Sequence, residues 1–256
     1  MPEDLDRQLQ PIAERMRHAL ASGEPVPPTG DGEAAALTVG DAYRVQHAVI
    51  GSRRAHGERL CGYKVAMRTP PLHGEILHRD VVRDGGQVSV GAMVVPKIEA
   101  ELAFVIGEPL AGDDLMITDV LAATAFVLPA FEVVDSRLVG GTKNPVPDLI
   151  ADNSMFAAMV LGGPPHRVDA VDIRRIEVAL RVGDEVAEVG ATNRGSANPA
   201  HAVVELAAHL HGFGRGLHPG DVVLSGSCTT PVPVSAGDVV TGEFAGFGDV
   251  TVTFVP

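Results

Sequence analysis

Glu99 and Glu101 stand two residues apart in Pro96-Lys97-Ile98-Glu99-Ala100-Glu101-Leu102-Ala103-Phe104-Val105-Ile106-Gly107. A strand sends the side chains of i and i+2 from one face, so this spacing puts two carboxylates side by side next to an apolar run. Such a pair calls for a cation, a proton or solvent. Glu132, within Leu128-Pro129-Ala130-Phe131-Glu132-Val133-Val134, is again an acid embedded in a strand-like apolar run and offers a third oxygen ligand. Three carboxylates with little basic compensation nearby suit a hard divalent ion such as Mg²⁺ or Mn²⁺. The competing reading is an edge strand whose acids face water. Lys64 lies in Leu60-Cys61-Gly62-Tyr63-Lys64-Val65-Ala66-Met67. A lysine with such apolar flanks either snorkels to the surface or, beside a metal cluster, serves as an acid/base or holds a carboxylate.

Other polar groups are open to two readings. His73 falls in Arg68-Thr69-Pro70-Pro71-Leu72-His73-Gly74-Glu75, read as a loop that can sit over a pocket, where a histidine is either chemical or simply solvated. Asp152-Asn153-Ser154 precedes an apolar strand; these groups either tie a turn or line a polar pocket. Gly226-Ser227-Cys228-Thr229-Thr230 can offer backbone amides and the hydroxyls of Ser227 and Thr229 to a substrate carboxylate. Cys228 has no evident activating partner. His201, His209 and His211 lack a compact ligand arrangement and read as surface groups rather than a zinc site.

The elements that must position these groups belong to a chain of 256 residues, 45% hydrophobic and 21% charged, enough to bury a substantial core. The formal net charge of −13, without long Lys/Arg runs, argues against a nucleic-acid partner or an anionic membrane surface. Two cysteines are too few for a disulfide framework, which fits a reducing cytoplasmic setting. No apolar run reaches the roughly 18 to 20 residues of a membrane span, and Met1-Pro2-Glu3-Asp4 is unlike a signal peptide.

Leu5, Leu9, Ile12, Met16 and Leu20 give one amphipathic helix, and Thr38 caps a second that carries Ala42, Val45, Val49 and Ile50. Asp31 to Leu37, between them, is ambiguous. Together these helices predict an N-terminal helical lobe at 1–60 and a catalytic domain at 61–256. Short strands are expected over 85–95, a helix capped by Thr118 from Ile117 to Phe126, and a mobile loop over 140–147. Further along come a hairpin turning at Gly183-Asp184, a helix opening at Asn198-Pro199 and a closing hairpin at 243–254. The pattern predicts an α+β fold, a rolled mixed β core with peripheral helices. Neither a dinucleotide Gly-x-Gly-x-x-Gly fingerprint nor a phosphate loop is present.

In combination, Gly62-Tyr63-Lys64-Val65, the segments carrying Glu99, Glu101 and Glu132, Ile150-Ala151-Asp152-Asn153 and Pro219-Gly220-Asp221-Val222-Val223-Leu224-Ser225-Gly226 resemble the 2-keto-4-pentenoate hydratase and 4-oxalocrotonate decarboxylase family. That family lies within the fumarylacetoacetate hydrolase superfamily, and the resemblance spans nearly the whole chain. It implies a mixed β-roll and Mg²⁺ or Mn²⁺ held by Glu99, Glu101 and Glu132. It also implies an active-site Lys64, a pocket lined by Asp152, Asn153 and Ser154, and assembly into a homo-oligomer, possible association with a neighbouring pathway enzyme included. The implied activity is addition of water to a 2-hydroxy-2,4-dienoate, giving a 4-hydroxy-2-oxo acid. The alternatives are decarboxylation of a 2-oxo-3-enedioate and a noncatalytic carboxylate-binding protein. One departure stands out: where the family carries Pro-Asp-Tyr/Phe-Gly, this chain has Pro71-Leu72-His73-Gly74. The acid is missing at Leu72, so His73 or Glu75 is expected to handle the proton in its place.

Overall fold

A computed structural model describes residues 7–29, 37–66 and 71–256. The readings made for Met1 to Asp4, for Leu5, for 31–36 and for Met67 to Pro70 lie outside the described residues. The helix α1 (Gln10–Ser22) stops at Gly23, whose φ of 72° closes the helix in the left-handed region. The next helix, α2 (Val39–Ala55), starts where the sequence places it, with the Thr38 hydroxyl accepting from the Asp41 amide.

Strands β1 (Leu60–Ala66), β2 (Leu72–Leu77), β3 (Val81–Arg83), β4 (Gly86–Ser89) and β5 (Lys97–Ile106) follow. After α3 (Ile117–Ala123) come β6 (Thr124–Val134), α4 (Val146–Ala151) and β7 (Phe156–Leu161). The hairpin β8 (Glu177–Val182) and β9 (Glu185–Ala191) precedes α5 (Ala200–Gly212). The chain ends with β10 (Val222–Leu224), β11 (Val232–Pro233), β12 (Val239–Phe244) and β13 (Gly248–Val255).

One sheet has the order β2-β1-β10-β5-β6-β7-β3, with β11 also paired to β5; the other has the order β4-β13-β12-β8-β9. Alternation in β5 sends Ile98, Ala100, Leu102 and Phe104 into the main core, with Phe131 and Val133 of β6 and Val240, Val252 and Phe254 of the second sheet. The sheets approach closely at Gly242, where a Cβ would lie 2.7 Å from Cε1 of Phe131. The opposite face of β5 and β6 turns inward, where Ala103, Ala130, Met159 and Leu224 form a separate apolar cluster with Ile76 and Phe156. Ile12, Met16, Tyr43, Val45 and Val49 of the two N-terminal helices pack with Leu72, Leu138, Leu149 and Ile150. The α+β class, mixed β-roll and helical N-terminus follow the sequence reading.

Four local expectations change. Residues 72–75 are strand, not loop, because β2 pairs along β1 from Leu72↔Ala66 onward and buries Leu72, Ile76 and Leu77 fully. The expected loop at 140–147 contains a 3-10 turn at Gly141–Lys143 and opens α4 at Val146; Pro147 in the first turn gives up an amide that has no helical partner. The start of α3 is Met116, whose amide donates to Asp119 Oδ2 at 2.7 Å, so Thr118 lies inside the helix. Met93-Val94-Val95 forms no strand: the amides of Val94 and Val95 donate to the Asp135 carboxylate instead of to a neighbouring strand.

Candidate metal and catalytic site

In the β5–β6 register Glu99 faces Glu132 directly, and Glu101 follows one pleat further along the same inward face. One oxygen from each of the three carboxylates lies within 4.8 Å of the others, while Glu101 and Glu132 are each 1% exposed. Gly226 N–H donates to Glu101 Oε2 at 2.9 Å. Burial pushes the Glu101 carboxyl well above the ordinary range; Glu132 and Glu99 add to the rise, and Lys64 and the Gly226 amide pull against it.

Lys64 reaches this face by an indirect route. It is paired to Leu224 across β1 and β10, and Leu224 is paired in turn to Ala103 of β5. Its Nζ lies 2.9 Å from Glu132 Oε1, and the side chain is 3% exposed. Among the described residues, Glu132 Oε1 is a buried oxygen that accepts no hydrogen bond. An all-oxygen donor set of three carboxylates, one of whose buried oxygens accepts no hydrogen bond among the described residues, fits a hard divalent cation.

His73 and Glu75 point elsewhere. Lys64 and Gly74 are register partners and share a face, so the side chains flanking Gly74 project from the other face of β2. There His73 Nδ1 lies 3.2 Å from the Tyr43 hydroxyl, with its ring centroid 4.2 Å from that of His209. Glu75 Oε1 accepts from Arg215 Nη1 at 2.7 Å, and Arg215 also donates to the Tyr63 hydroxyl. His209, half-buried, is therefore packed among the rings of Tyr43, His73 and Phe213 rather than standing free on the surface. The Cys228 thiol is buried and burial drives its pKa upward, away from thiolate chemistry.

The remaining sequence-selected groups are engaged within the protein. Asp152 is held by Arg137, whose Nε donates to Oδ1 and whose amide donates to Oδ2; Nη1 and Nη2 donate to the carbonyls of Phe156 and Asp152. Asn153 Nδ2 donates to the Glu75 carbonyl and its Oδ1 accepts from the Glu75 amide, both at 2.9 Å. Ser154 Oγ donates to the His73 carbonyl at 2.8 Å. These two residues tie the edge of β2 to the turn before β7 and close the roll. Thr229 Oγ1 accepts from the Ala100 amide, and Ser227 Oγ donates to the Thr229 carbonyl.

Arg137, Tyr43 and Arg215 are the residues sequence reasoning missed as partners. The carboxylate partner of Arg137 is fifteen residues away in sequence. A cavity of ≈ 180 Å³ lies between the N-terminal helices and the start of β7, bounded by Met16, Val49, Ile50, Arg137, Asp152 and Phe156 among others. None of Lys64, Glu99, Glu101 and Glu132 lines it.

The sequence pattern described as "Fumarylacetoacetate (FAA) hydrolase C-terminal" matches residues 66–255. The chain belongs to the fumarylacetoacetate hydrolase family. Among its relatives, a 2-oxo-hept-4-ene-1,7-dioate hydratase from Escherichia coli is 32% identical over 234 residues, covering 86% of this chain and 88% of the relative. A 4-oxalocrotonate decarboxylase from Pseudomonas sp. (strain CF600) is 33% identical over 229 residues and 86% of each chain. The structure of 4-oxalocrotonate decarboxylase from Pseudomonas putida G7, complexed with magnesium and adipate, superposes with a TM-score of 0.88 at 29% identity, over 96% of this chain and 98% of that one. Hydratases at 31–36% identity and decarboxylases at 31–33% are thus both among its relatives.

The histidines on the outer face of β2 give a pH prediction. Burial lowers His73 to about 3 and His209 to about 4, both from 6.5. Their stabilising contribution is complete above pH 6.5 and is lost as pH falls towards those values, because the unfolded chain takes up protons that the folded one refuses. Asp152, raised by burial to about 6 from 3.8, acts in the opposite sense between those two values. Asp152 and the raised Glu101 offset the histidines in wild type. The unfolding free energy from urea titrations is therefore expected to fall more steeply between pH 7 and 4 in wild type than in His73→Leu, by up to roughly 1.4 kcal/mol per pH unit. An identical fall in wild type and variant would rule out His73 as a neutral buried group.

Proposed function

We propose that the chain is a divalent-metal-dependent hydratase that adds water to a 2-hydroxy-2,4-dienoate and yields a 4-hydroxy-2-oxo acid. The observation that carries this reading is the inward-facing trio Glu99, Glu101 and Glu132 with buried Lys64 at 2.9 Å from Glu132, in a member of a family with hydratase relatives. Glu99, Glu101 and Glu132 hold the ion, for which Mg²⁺ is the first choice and Mn²⁺ the second. When bound, the ion supplies electrophilic stabilisation to the substrate carboxylate and C2 oxygen as negative charge develops there.

The chain's own residues do the rest. Gly226 N–H fixes Glu101, and Lys64 Nζ relays to C5 the proton that the 2-hydroxyl gives up on ketonisation, after which water adds its hydroxyl at C4 and its hydrogen at C3. Ser227 and Thr229 follow Gly226 in the loop that binds Glu101 and Ala100, and that loop is assigned to the substrate's far end. His73 and Glu75, expected from the sequence to handle the proton, lie on the other face of β2, so the proton is assigned to Lys64. Catalysis is assigned to 61–256, with 1–60 as the supporting lobe, in a cytoplasmic homo-oligomer with no nucleic-acid partner. No described helix is long and apolar enough to cross a membrane.

The second reading is decarboxylation of a 2-oxo-3-enedioate on the same platform, supported by the decarboxylase relative at 33% identity. The test is a paired assay with Mg²⁺: ultraviolet loss of 2-hydroxypenta-2,4-dienoate against CO₂ release from 2-oxohex-3-enedioate. Turnover of the first alone supports the hydratase, CO₂ release alone promotes the decarboxylase, and activity on neither leaves the third reading, a carboxylate-binding protein, in possession.

A further inference from the structure

Gly74 is the one residue of β2 between His73 and Glu75, and it faces the catalytic side as the register partner of Lys64. A Cβ placed there would lie 3.1 Å from Lys64 Cγ and 2.6 Å from the backbone oxygen of Asn153. The lysine stem therefore crosses β2 over a bare Cα, in space that any other residue type would fill. Nothing in φ demands glycine at this position; close approach does.

The strand around Gly74 is held from both sides. Asn153 brackets Glu75 through its amide and carbonyl oxygen, and the His73 carbonyl accepts from both Ser154 Oγ and Gln46 Nε2 at 2.8 Å. The turn that delivers this clasp is strained: Asn153, Ser154 and Met155 have φ of 48°, 52° and 64°, three consecutive non-glycine residues in the left-handed region. Such a turn persists where surrounding contacts fix it, and here those contacts hold β2 against the base of Lys64.

We propose that Gly74, clamped by Asn153 and Ser154, is a positioning residue that sets Lys64 Nζ against Glu132. Asn153 and Ser154 act on the site through β2, with their polar atoms committed to its backbone. The activity arm of the test rests on the hydratase reading above; the labelling arm does not. The alternative is that Gly74 serves only the packing of β2 on Asn153, in which case its replacement harms the protein equally whether or not a lysine stands at 64.

The experiment compares wild type, Gly74→Ala, Lys64→Ala and the double variant. Lysines occur at 64, 97 and 143 only, so brief acetic anhydride labelling read by mass spectrometry follows Lys64 against two internal references. Lys64 is expected to react slowest in wild type and about tenfold faster in Gly74→Ala, a change of 1.4 kcal/mol in protection, with Lys97 and Lys143 unchanged. With Mg²⁺ and 2-hydroxypenta-2,4-dienoate, Gly74→Ala is expected to lose on the order of 10²-fold in kcat with KM within about twofold. In the Lys64→Ala background the same substitution costs less than about twofold. Unchanged Lys64 labelling in folded Gly74→Ala, or equal losses in both backgrounds, overturns the proposal. Should Gly74→Ala not fold, Asn153→Asp keeps the acceptor for the Glu75 amide and removes the donor to its carbonyl. Faster Lys64 labelling in that variant supports the proposal and unchanged labelling overturns it. If wild type turns over no substrate, the hydratase reading fails while the labelling result still decides the role of Gly74.

Discussion

Glu101→Gln is expected to cut Mg²⁺-dependent turnover by about 10²-fold or more and, in chelator, to raise the thermal midpoint by about 4 °C. The two effects have one cause. Glu101 is buried, pressed against Glu99 and Glu132, and relieved on the protein side only by the Gly226 amide and by Lys64, which is committed to Glu132. A neutral amide keeps the side chain's shape and one oxygen but removes like-charge repulsion worth ~1–2 kcal/mol at the site. It also removes the anionic ligand that a hard cation needs. Mg²⁺ titration followed by calorimetry, with thermal scans in chelator and in Mg²⁺, measures both. The stabilisation by Mg²⁺ should be large in wild type and small in the variant. A variant that retains full turnover and full metal affinity would sink the ligand assignment.

Arg137→Met should be the most destabilising single change, at about 3–5 kcal/mol. It strips Asp152, 2% exposed, of a charged partner and its guanidinium bonds, and frees the Phe156 carbonyl. The adjacent cavity admits water to the orphaned carboxylate, which favours the lower end of that range. Arg137→Met combined with Asp152→Leu is expected to recover most of the loss, because the cost lies in an unpaired buried charge rather than in a missing attraction. Urea denaturation of the two single variants and the double variant checks this. A double variant as unstable as Arg137→Met would mean that Arg137 acts by packing alone. Activity of Asp152→Asn, measured in parallel, tells whether this carboxylate also takes part in turnover.

The carboxylate platform was legible because strand periodicity is local: Glu99 and Glu101 declare a shared face by spacing, and Glu132 sits in an equally apolar strand. That Glu99 faces Glu132 depends on hairpin register across the 107–123 connection, which no local pattern encodes. Thr38 was readable as a cap because its partner is three residues away. His73 was misplaced because Pro70-Pro71 signals a break in regular structure without saying where pairing resumes, and the answer lies in β1. The partners of Asp152 and Asn153 were equally out of reach, since Asn153 finds Glu75 across 78 residues of sequence. The resemblance to the family supplied roles for Lys64 and the three glutamates; it could not supply the clasp around Gly74.

The strand order carries a consequence for how the protein is made. β5 and β6 are neighbours in sequence and form an antiparallel pair on their own, so the three carboxylates can gather early in synthesis. Within the sheet, β1, which bears Lys64, is joined to that pair through β10, residues Val222–Leu224. That strand leaves the ribosome about 160 residues after Lys64. A chain truncated ahead of Val222 would carry the trio and the clasp on β2 without the strand that seats β1 beside β5.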